Sequence, residues 1–153
     1  MSQVELAVEQ LKLSFEGDPW HGPPLMDILK DIDATKAAAR PINTAHSIWE
    51  LVLHIAAWEN VMIRRLHGEA LQLSDAENFG RIDQVNESNW KQAVENLRDT
   101  HAKLIDEVAA LPEARLKERV PGKPYDILFM LSGAVQHAAY HGGQIALLKK
   151  AQP

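Results

Sequence analysis

The sequence predicts an all-α protein, a four-helix bundle with a short extra helix after the first long one. Three observations predict it. Four long stretches repeat apolar residues every three or four positions, as helices with one buried face do. The connections between them are polar and broken by proline and glycine, and no stretch alternates with the period of a strand. At 153 residues the chain suits one domain, spanning residues 1–153, with a full core.

Each element has its own signal. Residues 2–16 carry Val4, Leu6, Val8, Leu11 and Phe15 on a helical pattern. GDPWHGPP ends it, because its two glycines and three prolines cannot continue a helix. LMDILKDI (25–32) reads as the short extra helix, and Pro41 closes that region. Ser47-Ile48-Trp49-Glu50 fits a capping box at the start of the second long helix. Its stripe is Leu51, His54, Ile55, Trp58 and Met62, and Gly68 after His67 offers a left-handed stop. A protonated His67 would suit the negative end of that helix.

Residues 69–86 are polar and longer than most connections, so a lid, an interface or a mobile loop is expected there. The third long helix runs from about Glu87 to Leu111 on Trp90, Val94, Leu97, His101, Leu104, Val108 and Leu111, and Pro112 ends it. After the connector EARLKERVPGKPY, Asp126 caps a last helix reaching about Lys150. Its stripe is Met130, Leu131, Ala134, His137, Ala138, His141, Ile145 and Leu148. The long second connection leaves up-down-up-down topology open.

Composition excludes several classes. The net charge is −5 and there is no basic block, so no nucleic-acid partner is expected. There is no cysteine, which removes disulfides, thiolate ligands and a cysteine nucleophile; any thiol must arrive with a substrate. The start, MSQVELAVEQLK, does not read as a signal peptide, and no apolar run approaches the ~18 residues needed to span a bilayer. A cytoplasmic location and no membrane association are expected.

The chemistry sits in the histidines. His137 and His141 are four residues apart on one apolar stripe, which places their Cβ atoms roughly 5–6 Å from one another. Two imidazoles there are costly to bury unless paired or liganded. His54 lies on the stripe of a second helix and would complete a three-nitrogen, open-sided metal site, although taken alone it fits a hydrogen-bonded core histidine better. His101, also on a core stripe, is the reserve ligand. His21, His46 and His67 read as surface or capping groups.

Zinc or nickel accepts neutral imidazole at about 2.0–2.1 Å, and three protein ligands leave room for water or a thiol. Glu50, one turn before His54, and Asp126 are candidates to orient the rings, and Gln144 is a candidate donor beside His141. The motif is not the HExxH of a zinc protease, since Ala138 stands where the glutamate would be, nor the paired Glu-x-x-His of di-iron bundles. No catalytic side chain is assigned beyond the water or thiol at the open metal position. Gly142 and Gly143 inside the last helix read as a close backbone approach rather than room for a metal. The four tryptophans, Trp20, Trp49, Trp58 and Trp90, read as core before pocket. Arg64 and Arg65 read as surface, with grip on an anionic substrate as the alternative.

At these residues the chain resembles the DinB-like superfamily, the DNA-damage-inducible group that includes the YfiT-type metal-dependent hydrolases. The resemblance covers nearly the whole length. It rests on PWHGPPLMDIL, HSIWELVLHIAAWE, LPEARLKERVPG and above all QHAAYHGGQIALLKK. It implies a four-helix bundle with a divalent metal on His54, His137 and His141. It also implies a low-molecular-weight thiol, bacillithiol or mycothiol, as partner in S-transfer, and a homodimer. A carboxylate common in that family between the last two histidines is replaced here by Ala138 and Ala139. Three readings stay open: a thiol S-transferase acting on a small molecule, a hydrolase using water, and a non-catalytic dimeric metal-binding module of the stress response.

Overall fold

A computed structural model describes all 153 residues. The chain is helical and contains no strand, only an isolated bridge between Arg119 and Asp126. Its elements are α1 (Gln3–Glu16), α2 (Leu25–Ile28), α3 (Ala34–Ala38), α4 (Ile48–Leu66), α5 (Asp75–Asn78), α6 (Glu87–Ala109) and α7 (Ile127–Lys150). A 3₁₀ turn, Glu113–Lys117, joins α6 to α7. The four long helices α1, α4, α6 and α7 make the bundle, and none is long and apolar enough to cross a membrane.

Local chemistry starts each long helix. The Ser2 hydroxyl accepts from the Glu5 amide at 3.0 Å while the Glu5 carboxylate accepts from the Ser2 amide at 2.7 Å. Ser47 and Glu50 repeat that arrangement at α4, and Asn86 and Asp126 cap α6 and α7. Each cap satisfies an amide that has no partner within its helix. Gly68 takes a positive φ of 92° after α4, as its place past the helix end requires. His67 at that end meets the Glu107 carboxylate at 3.0 Å, so it binds across to α6 as well as capping α4.

The predicted helix over 25–32 stops at Ile28. Asp31 adopts φ 60°, which ends any right-handed continuation, and Asp33 then caps the short α3, absent from the sequence reading. Aspartate tolerates the left-handed region and competes well for nearby amides, so Lys30-Asp31 makes a corner where periodicity alone predicts helix.

Direction along the bundle is set by pairs at its two ends. Trp49 and Trp90, near the starts of α4 and α6, lie 5.4 Å apart between ring centroids, while His67 and Glu107 meet near their ends. These two helices therefore run parallel, and α1 and α7 run against them. The connection 69–86 must travel back along the bundle, and that return path explains its length. The core follows the same axis. One apolar cluster holds Phe15, Trp49, Val52, Trp90, Leu97 and Ile145; a second holds Leu11, Met62, Leu66, Leu104, Val108 and Leu131. The buried polar residues His54, Glu59, His101 and His141 lie in the turns between them. The bundle thus has two greasy ends and a polar waist.

Gly142 is a site of close approach: a Cβ there would lie 3.3 Å from the Ile28 Cδ1 of α2. Gly143 faces open space. Gly143→Ala should therefore stabilise the protein by up to about 1 kcal/mol through helix propensity. Gly142→Ala should gain less, because Ile28 must shift. Urea denaturation of the two variants checks the ordering.

Candidate metal centre

The three histidines converge at the waist. His54 comes from the middle of α4; His137 and His141 come from successive turns of α7. The Nε2 atom of His137 lies 3.0 Å from His54 Nε2 and 3.0 Å from His141 Nε2. One ligand atom from each ring falls within 4.8 Å of the others. His54 and His141 are buried and His137 is half-buried.

Protons decide what this arrangement is for. His54 Nδ1 lies 2.7 Å from the main-chain carbonyl oxygen of Asn78, and a carbonyl only accepts, so Nδ1 carries the proton. His141 Nδ1 faces the Gln144 side-chain oxygen at 2.6 Å, which places a proton there too. In the neutral rings both Nε2 atoms are then left with bare lone pairs aimed at His137 Nε2. A single N–H on His137 can satisfy one of them and never both. Three nitrogens around one point with at most one proton among them suit a cation, which accepts all three lone pairs.

The rings are held neutral, as ligands must be. Burial pushes His137 down to about 3, helped by the neighbouring His141 and His54. Burial also lowers His54, against the opposing Asn78 carbonyl, and lowers His141, against Gln144.

The orienting groups differ in part from the expected ones. Gln144 does face His141, in the role read for it. Glu50 does not reach a ring: one oxygen accepts from the Ser47 amide and the other pairs with Arg40. Asp126 is likewise used as a cap on Phe129. Helix-end amides claim both carboxylates, so the Asn78 carbonyl orients His54 instead. Asn78 ends α5, on the returning connection, and its side-chain oxygen also accepts from the Trp58 indole at 2.8 Å. Phe79 stacks flat on His54, 4.3 Å between centroids. The 69–86 connection therefore covers His54 through Asn78 and Phe79. A main-chain carbonyl leaves no mark in a sequence; the only available signal was the Ser74-x-x-Glu77 capping box that starts α5.

His101, the reserve ligand, is elsewhere. Its Nδ1 lies 2.8 Å from a Glu59 oxygen and its Nε2 lies 3.1 Å from the Leu11 carbonyl, with Phe15 stacked on the ring. Both nitrogens are occupied, so neither is free for a metal. Arg65 corrects a second reading: it is 3% exposed, whereas Arg64 is at the surface with Glu69. Trp49 and Trp90 are core, Trp20 is exposed, and Trp58 stands edge-on to His54 at 6.5 Å.

Two cavities flank the centre. One of about 490 Å³ is bounded by His46, Phe79, Tyr140, His141 and Gln144. The other, about 440 Å³, is bounded by His54, His137, Trp58, Arg65, Tyr125 and Phe129. Neither is lined by an aspartate or glutamate.

A helical bundle with a trio of neutral, converging imidazoles, two buried and one half-buried, fits a metal-binding protein, and the trio suits a divalent ion. The chain belongs to the DinB superfamily, whose family model matches residues 24–145 and so takes in all three histidines. No curated protein and no solved structure matches the chain.

Proposed function

We propose that the protein is a metal-dependent S-transferase in which His54, His137 and His141 hold zinc or nickel and a low-molecular-weight thiol is the nucleophile. The observation that carries this reading is a neutral ligand set with no carboxylate in either adjoining cavity. When bound, a divalent ion there supplies uncompensated positive charge, which favours a thiol as its thiolate near neutral pH. A thiol loses its proton far more readily than water does, so thiol chemistry needs no carboxylate base, and neither cavity supplies one. Asn78 and Gln144 hold the rings with Nε2 inward. Phe79 stacks on the His54 ring and Trp58 stands at its edge. The sulfur then bonds to an electrophilic carbon as the leaving group departs with its electron pair, and the thiol proton passes to solvent.

The test uses cobalt-substituted protein with bacillithiol and with mycothiol. Under this reading one thiol produces a sulfur-to-cobalt charge-transfer band and is consumed when monochlorobimane is added. Absence of both effects with both thiols overturns the thiol reading. Ester hydrolysis by the zinc form without thiol would instead favour water as nucleophile.

A further inference from the structure

Arg65 is a buried cation with no anion. It stands in the last turn of α4, on the same face as His54 and Trp58, and is 3% exposed. None of the ten ion pairs in the protein includes it. Its Nη2 donates to the Leu71 carbonyl at 2.8 Å and its Nη1 to the Tyr125 hydroxyl at 3.3 Å, while its buried Nε has no partner. A guanidinium carries five N–H donors in a planar fork that matches a carboxylate. Two neutral acceptors leave most of that capacity unanswered, and the charge meets the Trp58 ring but no anion. Buried charges are ordinarily paired, because leaving one unpaired is costly.

Its position gives that charge a use. Arg65 lines the same cavity of about 440 Å³ as His54 and His137 and is the only permanently charged side chain in that lining. Trp58 bridges the two ends, its ring 5.7 Å from the guanidinium carbon and 6.5 Å from the His54 ring. The wall between them is apolar, with Met62, Phe129 and Met130. The cavity therefore has a cation-binding trio at one end, a guanidinium fork at the other and greasy walls between.

We propose that Arg65 and the Tyr125 hydroxyl form a carboxylate-binding subsite, so that the molecule acted on is an organic acid with an apolar or aromatic body. Its carboxylate sits on the Arg65 fork, its body lies along Trp58 and Phe129, and its reacting end reaches the histidines. This deepens the S-transferase reading and rests on it only for the chemistry at the histidine end. A purely structural Arg65, pinning Leu71, would have no preference for an anion.

The probes are 3-phenylpropanoate and its amide, which share shape and differ in charge. Each is titrated into the protein with a chelator present and again with zinc. Binding is read from the Arg65 Nε–H resonance and from tryptophan fluorescence. The acid should bind at least about tenfold more tightly than the amide and should move the Arg65 resonance, with chelator as well as with zinc. Arg65→Met should bring the acid to the level of the amide, and Tyr125→Phe should fall between.

Equal binding of acid and amide by the wild type overturns the subsite, whether or not Arg65→Met folds. So does a preference that needs zinc and survives in Arg65→Met, since the carboxylate would then be on the metal. Acid preference without any metal uptake would leave the subsite standing and remove the S-transferase reading.

Discussion

Titrated with zinc, the purified protein should bind one ion per chain, and His137→Ala should bind none at the same concentration. His137 is the central ring, since both short nitrogen–nitrogen contacts are its own. His54→Ala and His141→Ala should each weaken binding by about 100-fold or more, because loss of even a group behind a ligand costs 10–100-fold. Gln144→Leu tests that second effect and should fall within that smaller range. Metal at about 100 times its dissociation constant should stabilise the wild type by roughly 2.7 kcal/mol by mass action. For a chain of this size that is a rise in melting temperature of about 5–10 °C. Isothermal titration and thermal unfolding measure both. Full zinc stoichiometry in His137→Ala would remove the centre from consideration.

The largest loss of stability should come from a different histidine. His101 and Glu59 are 4% and 5% exposed at their side chains and lie 2.8 Å apart. The Leu11 carbonyl takes the proton on His101 Nε2, so a single further proton is held between Nδ1 and the Glu59 carboxylate. The other Glu59 oxygen is buried with no partner. His101→Leu strips the remaining bond from a buried acid and opens the stack on Phe15, which should cost about 3–5 kcal/mol. Glu59→Leu, which strands the imidazole, should cost a similar amount. The double replacement should recover much of the loss, since two apolar groups leave nothing unpaired. Urea denaturation of the single and double variants gives the coupling. Zinc stoichiometry should stay at one in His101→Leu, which separates this pair from the metal centre.

The polar waist therefore holds two histidine clusters with opposite uses. At His101 every ring nitrogen has a protein partner, and the cluster ties α1, α4 and α6 together. At His137 the nitrogens face each other with too few protons, and the cluster is left open to a cation. On a helical stripe the two kinds of histidine look alike. Only partner atoms tell them apart, and these come from Leu11 and Glu59 in one case and from Asn78 and Gln144 in the other.

The sequence by itself determined the four long helices and their ends, because a helix is specified within a few residues: an apolar repeat, a serine with a glutamate three on, a glycine past the last turn. It also placed His137 and His141 on one face for the same reason, and the family resemblance added His54. Tertiary structure alone decided that α4 and α6 run parallel, that residues 69–86 return across His54, that a main-chain carbonyl and not Glu50 orients that ring, and that Arg65 is buried without an anion. These depend on which surfaces meet once the bundle closes. A backbone carbonyl has no letter of its own, and an arginine reads the same whether a neighbour covers it or water does.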